Sequence, residues 1–498
     1  MGLLYADISC CLGTYNQEED KATKGANVNE ILTRVRKTPL CAFALILIGS
    51  LFLGCIMVKP AWAADFNFSS DESVYLLDAD TGQVLYEQNS DQRVYPASTT
   101  KLMTALVALD YIDDSMLDQT VTVGDEINLT PSNSSMAYLV SGETYTWRDL
   151  FYAMLLPSGN DAAIVVATHI ARLETGNENL SASDAVTEFA RLMNAKAEEI
   201  GCTGSHFVNP HGFHDDDHYT TAHDIVTIAQ NVLKSDFIRE VVGTTHYTCT
   251  SASGSTLEWY NTNLLLQQTV QESIGGVLYG EGRGSLSCPY YNALATGVKT
   301  GSTNEAGKCL VFTGQTDEMS VLGAVMHSSS QSTLYSEVDN ALDEVASDYE
   351  YHTWSDGNSA VATQSLSNAS LGTFFSGGLS IGVQTDGTVS SAIDTTKQYE
   401  TEISWDEDKF DTDGDSASLK VSSISEGEQV ATLNVLVDGQ VEESYPLYAM
   451  RSIAAFSWVD IIVIFLIVGV AIFLIMLFRV KKLHAGGSSK PHARHSRY

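Results

Sequence analysis

Between residues 73 and 350 the spacing of apolar positions changes period several times, and each change predicts an element. Residues 73–78 and 83–87 are apolar-rich and flank the turn Ala79-Asp80-Thr81-Gly82, which predicts a β-hairpin. Leu102, Leu106 and Leu109 recur at helical spacing behind Pro96, so a helix opens near Ser98. Thr146, with Asp149 three residues on, predicts a capped helix running through Leu155. Pro157-Ser158-Gly159-Asn160 interrupts it, and helical spacing resumes over Ala162–Leu173. Residues 183–200 form an amphipathic pattern that stops at Gly201, and Thr221 with Asp224 opens a further helix. Ala295–Thr300, Cys309–Phe312 and Ser320–Val325 are short, apolar and β-branched, which predicts antiparallel strands, and 332–348 return to a helix. The pattern predicts a sheet of about five antiparallel strands with helices on both faces.

Beyond residue 355 the chain turns rich in Ser, Thr, Gly and Asn. Residues 401–450 alternate apolar with polar, and Asp438-Gly439 reads as a hairpin turn. A small all-β domain is expected over 360–450. Ile461–Phe478 is then uncharged for 18 residues, about 27 Å as a helix and enough for a bilayer core. Trp458 stands at one edge, and Arg479, Lys481 and Lys482 follow at the other. By the positive-inside rule the tail is cytoplasmic and 64–457 lie outside. A buried core helix is the alternative, but it would not need such a basic stop.

A second apolar run, Pro39–Val58, follows Arg34, Arg36 and Lys37 and precedes Ala61-Trp62-Ala63. Basic, apolar and small-x-small segments in that order predict a secretory signal peptide cleaved before Ala64, with an uncleaved anchor as the alternative. Cys55 in Leu53-Gly54-Cys55 loosely resembles a lipidation site, with Phe52 where such a site has Leu. Residues 1–27 precede any basic n-region, and translation is expected to start near Val28. The domain plan is an N-terminal extension and signal peptide over 1–63, a catalytic domain over 64–352, and a linker and all-β domain over 353–450. A membrane helix over 456–480 and a basic tail over 481–498 complete it.

Charge narrows the function. The chain carries 27 Lys+Arg against 62 Asp+Glu, a net charge of −35. Residues 64–478 hold most of the acid, which argues against a nucleic-acid partner. Four cysteines fall outside the membrane, Cys202, Cys249, Cys288 and Cys309. They allow three pairings, with buried free thiols the plainer reading for Cys202 and Cys309.

Three clusters carry chemistry. Ser98-Thr99-Thr100-Lys101 puts a hydroxyl and an amine one helical turn apart, so a desolvated lysine can take the serine's proton. Ser158-Gly159-Asn160 sits at a break between apolar helices, where polar side chains need partners or a site. Lys299-Thr300-Gly301 closes a core strand, and Gly301 allows a close backbone approach. A surface helix, a polar loop and an exposed strand end are the plain readings of the three taken singly. Their order and separation favour one site.

With the segments around them these motifs resemble the serine D-alanyl-D-alanine carboxypeptidases, the low-molecular-weight penicillin-binding proteins. The resemblance covers 70–350. It includes Pro96–Thr104, Leu155–Ala163, Asn209-Pro210-His211-Gly212, His218–Thr221, Gly297–Gly301 and Ala306-Gly307. It implies an α+β fold of the serine β-lactamase and DD-peptidase type. That fold has an antiparallel sheet flanked by helices with a helical subdomain, followed here by the all-β domain and the membrane helix. It implies removal of the terminal D-Ala from peptidoglycan stem pentapeptides, acylation by β-lactams, and no cofactor. The implied roles are Ser98 as nucleophile, Lys101 as base, and Ser158 with Lys299 as proton path to the leaving amine. Asn160 would orient the substrate amide and Lys101, and Thr300 with Lys299 would bind the terminal carboxylate. The backbone N–H groups of Ser98 and Ser302 would form the oxyanion hole. Ser302 replaces the His, Tyr or Phe that relatives often carry after the third motif.

The alternatives are a serine β-lactamase or esterase of the same fold, or an inactive wall-binding membrane protein. The chain lacks the E-x-x-L-N segment and the Tyr-x-Asn motif of the former, and the presence of every motif residue argues against the latter. His211, His214, His218 and His223 with Asp215–Asp217 have spacings a metal could use, but the first three resemble a metal-free loop of the family. Asp411-Thr412-Asp413-Gly414-Asp415 has its Gly too early for an EF-hand and reads as a solvated turn.

Overall fold

Strand β1 (Ser73–Asp78) turns through Gly82 into β2 (Val84–Gln88), the hairpin expected from the sequence. In the computed structural model β1 also pairs with β5 (Ser320–Ser328), which pairs with β4 (Gly307–Gln315), which pairs with β3 (Ala295–Thr303). The sheet order is β3-β4-β5-β1-β2, antiparallel throughout. The structure describes residues 66–485 except 274–275, 280–285, 318 and 414–415. The expected leader over 1–63, the start near Val28 and the tail beyond 485 lie outside the described residues.

Both faces of this sheet are covered. In β4, Cys309 and Val311 join one core while Leu310 and Phe312 join the other; in β5, Leu322, Ala324 and Met326 oppose Val321 and Val325. Side chains of period two therefore read as one apolar run. The three strands extend past their apolar cores because backbone pairing continues through polar residues, as in Ser302 opposite Lys308.

The helical region carries α1 (Thr100–Leu109), α2 (Trp147–Leu155), α3 (Asn160–Thr175), α4 (Ala182–Glu199), α5 (Ala222–Val232) and α6 (Asp236–Gly243). Helix α7 (Gln331–Asp348) covers the opposite face through Leu334, Val338, Leu342 and Val345. The predicted caps form: Thr146 and Asp149 satisfy each other's backbone N–H, and Thr221 accepts from Asp224 N. Residues Thr100 to Ala108 of α1 are all buried, so this helix is the axle of the lobe. The hairpin His246–Thr250 with Thr256–Tyr260 is an element the sequence reading does not single out, although its short strands alternate polar with apolar residues.

Residues 362–449 form a seven-stranded sheet around a separate core that includes Ile381, Val383, Leu433 and Leu447. Asp438 and Gly439, both at positive φ, make the expected turn between Gln429–Val437 and Gln440–Ala449. One short helix, α8 (Leu371–Gly377), interrupts the strands. Strand Tyr349–Ser355 pairs with Val389–Asp394, and the Tyr351 hydroxyl donates to the Asp78 carboxylate of the first sheet (2.8 and 2.9 Å). Asp411 and Asp413 lie exposed on the strand Phe410–Asp413. The chain then enters α9 (Trp458–Ala485), whose residues 461–482 are all exposed and which is long and apolar enough to cross a membrane.

Candidate active site

The turn Ala97–Thr99 delivers Ser98 to the start of α1, one turn before Lys101 on the same face. Lys101 is wholly buried, and its Nζ lies 2.9 Å from Ser98 Oγ, 2.7 Å from Asn160 Oδ1 and 2.9 Å from the carbonyl oxygen of His211. First and second motifs therefore meet at one nitrogen. Burial, and then the nearby Lys299, push the Lys101 ammonium well below its ordinary range; Asp161 opposes them. Lys299, 1% exposed, donates to the carbonyl of Thr300 (3.0 Å), and burial pulls it down to about 7.

Ser158 stands between helices α2 and α3 with φ +61°, a conformation uncommon for a residue with a Cβ. Its Oγ is buried and makes no hydrogen bond within the protein. Sparsely populated backbone and an unspent hydroxyl together mark functional sites. Gly159 permits the bend: a Cβ there would lie 2.7 Å from both Ala137 Cβ and the Ala153 carbonyl. Asp161 then takes the N–H groups of Ala137 and Leu139 (2.8 and 3.0 Å), holding a loop beside the motif.

The third motif closes against the first. A Cβ on Gly301 would stand 2.9 Å from the Pro96 carbonyl and 3.2 Å from Ser98 N, so β3 passes the nucleophile turn at backbone distance. Thr300 Oγ1 meets Thr262 Oγ1 at 2.6 Å, and exposed Ser302 accepts from Lys308 Nζ at 2.9 Å. Of the residues expected from the sequence, hydrogen bonds join Ser98, Lys101 and Asn160, Gly301 passes at backbone distance from Ser98, and the Ser158 hydroxyl is without a partner. The desolvation expected of Lys101 is present, and the depression of Lys299 is a tertiary outcome, since only packing buries a lysine at a strand end.

The sequence also left four positioning groups unassigned. The His211 carbonyl holds Lys101. Gly212, at φ +80°, fits where any Cβ would collide with the Ala97 carbonyl. Thr104 Oγ1 donates to the Pro210 carbonyl (2.6 Å), and Thr262 holds Thr300. His211 and His218 are buried in this packing. His218 Nδ1 accepts from Val208 N, which leaves Nε2–H to donate to Thr100 Oγ1 at 2.8 Å. Burial pushes His211 and His218 down to about 3. No group of three His, Cys, Asp or Glu is placed to hold a metal ion among the described residues. Cys202, Cys249, Cys288 and Cys309 are all free and buried.

Comparison with known proteins bears on the catalytic domain. A family described as D-alanyl-D-alanine carboxypeptidase matches residues 62–277. The D-alanyl-D-alanine carboxypeptidase of a Streptomyces is 32% identical over 306 residues, which cover 60% of this chain and 93% of that protein. The carboxypeptidase DacF of Bacillus subtilis is 29% identical, over 58% of this chain and 66% of its own length. DacA of Escherichia coli is 29% identical, with 55% of its length covered. The matched stretch thus spans from just over half to nearly all of these relatives. The crystal structure of DacD from Francisella tularensis superposes over 80% of this chain and 96% of its own with a TM-score of 0.59 at 22% identity, which shows a shared fold. Identity near one third over almost the whole Streptomyces protein places this chain in the D-alanyl-D-alanine carboxypeptidase family of serine hydrolases.

Proposed function

We propose that this chain is a membrane-anchored serine carboxypeptidase that removes the terminal D-Ala from peptidoglycan stem pentapeptides through an acyl-enzyme on Ser98. The observation that carries the reading is the fully buried Lys101 nitrogen, placed between Ser98 Oγ and Asn160 Oδ1. A neutral amine there has two N–H bonds and one lone pair. The two N–H groups satisfy Asn160 Oδ1 and the His211 carbonyl, and the lone pair is left for the Ser98 proton.

In the first step Ser98 Oγ bonds to the carbonyl carbon of the penultimate D-Ala, and its proton goes to Lys101. The backbone N–H groups of Ser98 and Ser302 stabilise the oxyanion. The C–N bond to the terminal D-Ala then breaks, and Ser158 with Lys299 delivers a proton to the departing amine. Lys299 and Thr300 hold the terminal carboxylate, and Asn160 orients the substrate amide. Water attacks the ester, releases the shortened peptide and restores the Ser98 hydroxyl. A β-lactam acylates Ser98 in the same way and leaves slowly. No cofactor takes part.

In the proposed layout residues 64–352 are catalytic and 353–450 stand between them and the membrane. The 456–480 helix spans the membrane, and the basic tail is cytoplasmic. A fluorescent penicillin applied to the full-length protein in detergent tests the reading. A stable label that Ser98→Ala abolishes, with D-Ala released from a D-Ala-D-Ala peptide by the unsubstituted protein alone, is expected. Label lost within one catalytic cycle would mark a β-lactamase, and label retained by Ser98→Ala would remove Ser98 as nucleophile.

A further inference from the structure

The β domain does not hang from its anchor by a loose tether. Phe456 N–H donates to the Asn368 carbonyl, Ala369 pairs with Ala455, and Thr373 Oγ1 bonds both the N–H and the carbonyl of Ala454 (2.9 and 3.2 Å). Asp460, 8% exposed, completes the joint. Its Oδ2 accepts from the N–H and hydroxyl of Ser457 (2.7 and 2.9 Å), closing the first turn of α9. Its Oδ1 accepts from Leu371 N (2.9 Å), the first residue of α8. One carboxylate ties the two helices together, immediately before the uncharged stretch that begins at Ile461.

Helix α8 is thereby held at the level where α9 turns apolar, and it is itself apolar on the outside. Phe374 and Phe375 are 51% and 72% exposed, and Leu379 follows at 49%. Trp458, beside the joint, is 71% exposed. Gly377 and Gly378, both at positive φ, turn the chain after α8. The Arg451 guanidinium occupies the space a side chain on Gly377 would need, and donates to the carbonyls of Gly378 and Ser380. The loop carrying Leu379 is thus pinned. A rigid patch of large apolar side chains facing water is unfavourable by about 25 cal/mol per Å², and such patches mark interaction sites. Here the patch is continuous with a helix of membrane-spanning length.

We infer that α8 is a second membrane contact, with Phe374, Phe375 and Leu379 entering the headgroup–acyl boundary of the bilayer that α9 crosses. The occupant of the patch is lipid, and the inference rests on reading α9 as a spanning helix. Aromatic side chains are at home at that depth, where apolar rings leave water without reaching the bilayer centre. Two attachment points, one at Asp460 and one at the phenylalanines, prevent the β domain from rotating freely about the α9 axis. The active site would therefore be held at a set height and orientation above the bilayer.

The test uses the full-length chain in phospholipid nanodiscs, with a photo-crosslinking benzoylphenylalanine placed singly at Phe375, at Phe465 inside the spanning stretch, or at Tyr138 on the catalytic domain. Lipid adducts at positions 375 and 465 and none at 138 are expected. Adducts at 465 without any at 375 overturn the second contact while leaving the anchor intact. No adduct at 465 removes the anchor reading, and this inference with it; adducts at 138 as abundant as at 375 also overturn it. A second measurement places the crosslinker at Leu379 in a Phe374→Asp, Phe375→Asp chain whose penicillin labelling of Ser98 reports that it is folded. The lipid adduct yield should fall severalfold, and an unchanged yield overturns the proposal.

Discussion

Lys101 and Lys299 are chemically identical and buried alike, yet the mechanism asks one to be a base and the other a cation. Environment separates them: burial, and then the neighbouring Lys299, push Lys101 well below its ordinary range, and its nitrogen lies within hydrogen-bond reach of the Ser98 hydroxyl it would deprotonate. Replacing Lys101 by Arg should lower the second-order acylation rate by about 10²–10⁴-fold, because guanidinium cannot give up its proton. Lys299→Arg keeps a cation and should lose less; equal losses in the two variants, measured with penicillin and with a D-Ala-D-Ala peptide, would remove the case for Lys101 as base. Lys299 also sets a pH limit. With its ammonium drawn down to about 7 by burial, the charge proposed to hold the substrate carboxylate disappears as pH rises through that value. The kcat/KM for a D-Ala-D-Ala peptide should therefore fall above about pH 7. In Lys299→Arg that falling limb should be absent, and a profile that keeps it would assign the limb to another group.

At the scale of elements, the site depends on how closely β3 passes the nucleophile turn. Gly301 faces the Pro96 carbonyl, Ala97 Cβ and Ser98 N, all within 3.2 Å of where a Cβ would sit. Gly301→Ala must push the strand and the turn apart. We expect a stability loss of about 1–3 kcal/mol and an acylation loss of about a hundredfold, since small misplacements of reacting groups are that costly. Thermal denaturation and penicillin labelling separate the two effects. A folded Gly301→Ala protein that acylates at the normal rate would show that this contact does not position Ser98. The same strand continues through Ser302 opposite Lys308, so the displacement would also reach the expected oxyanion donor.

At the scale of the whole molecule, stability is bounded on both sides of neutrality. Glu72 is fully buried immediately before β1, and burial followed by the Glu337 carboxyl on α7 raises it to about 8. The folded state keeps a proton that the unfolded chain releases above about 4.5. The stability this contributes is complete below that value and is lost as pH rises through about 8. His211 and His218 act in the other direction: held neutral by burial, they contribute stability above about 6.5 that is lost as pH falls toward about 3. Glu72→Gln should raise the melting temperature of the detergent-solubilised chain at pH 9 by several degrees and change little at pH 5. An equal shift at both pH values would mean that packing, not titration, governs the site.

Much of this was legible in the chain because its signals are local. A capping pair such as Thr146 and Asp149 acts within one turn, a run such as Ile461–Phe478 needs no partner to be recognised, and Ser98 with Lys101 share a helix face by spacing alone. The order of the three motifs is likewise a family resemblance carried by the chain alone. What periodicity could not decide lies where distant segments meet. The His211 carbonyl reaches Lys101 across 110 positions, and Thr262 reaches Thr300 across 38. The burial that depresses Lys299, and the tie between Asp460 and Leu371 across 89 positions, are likewise tertiary. No spacing rule encodes such contacts, because each depends on how two independently formed elements pack. The sequence by itself determined the elements, the motifs and the chemistry they can hold; only the tertiary structure decided which groups are dry, which are adjacent, and so which lysine can be neutral.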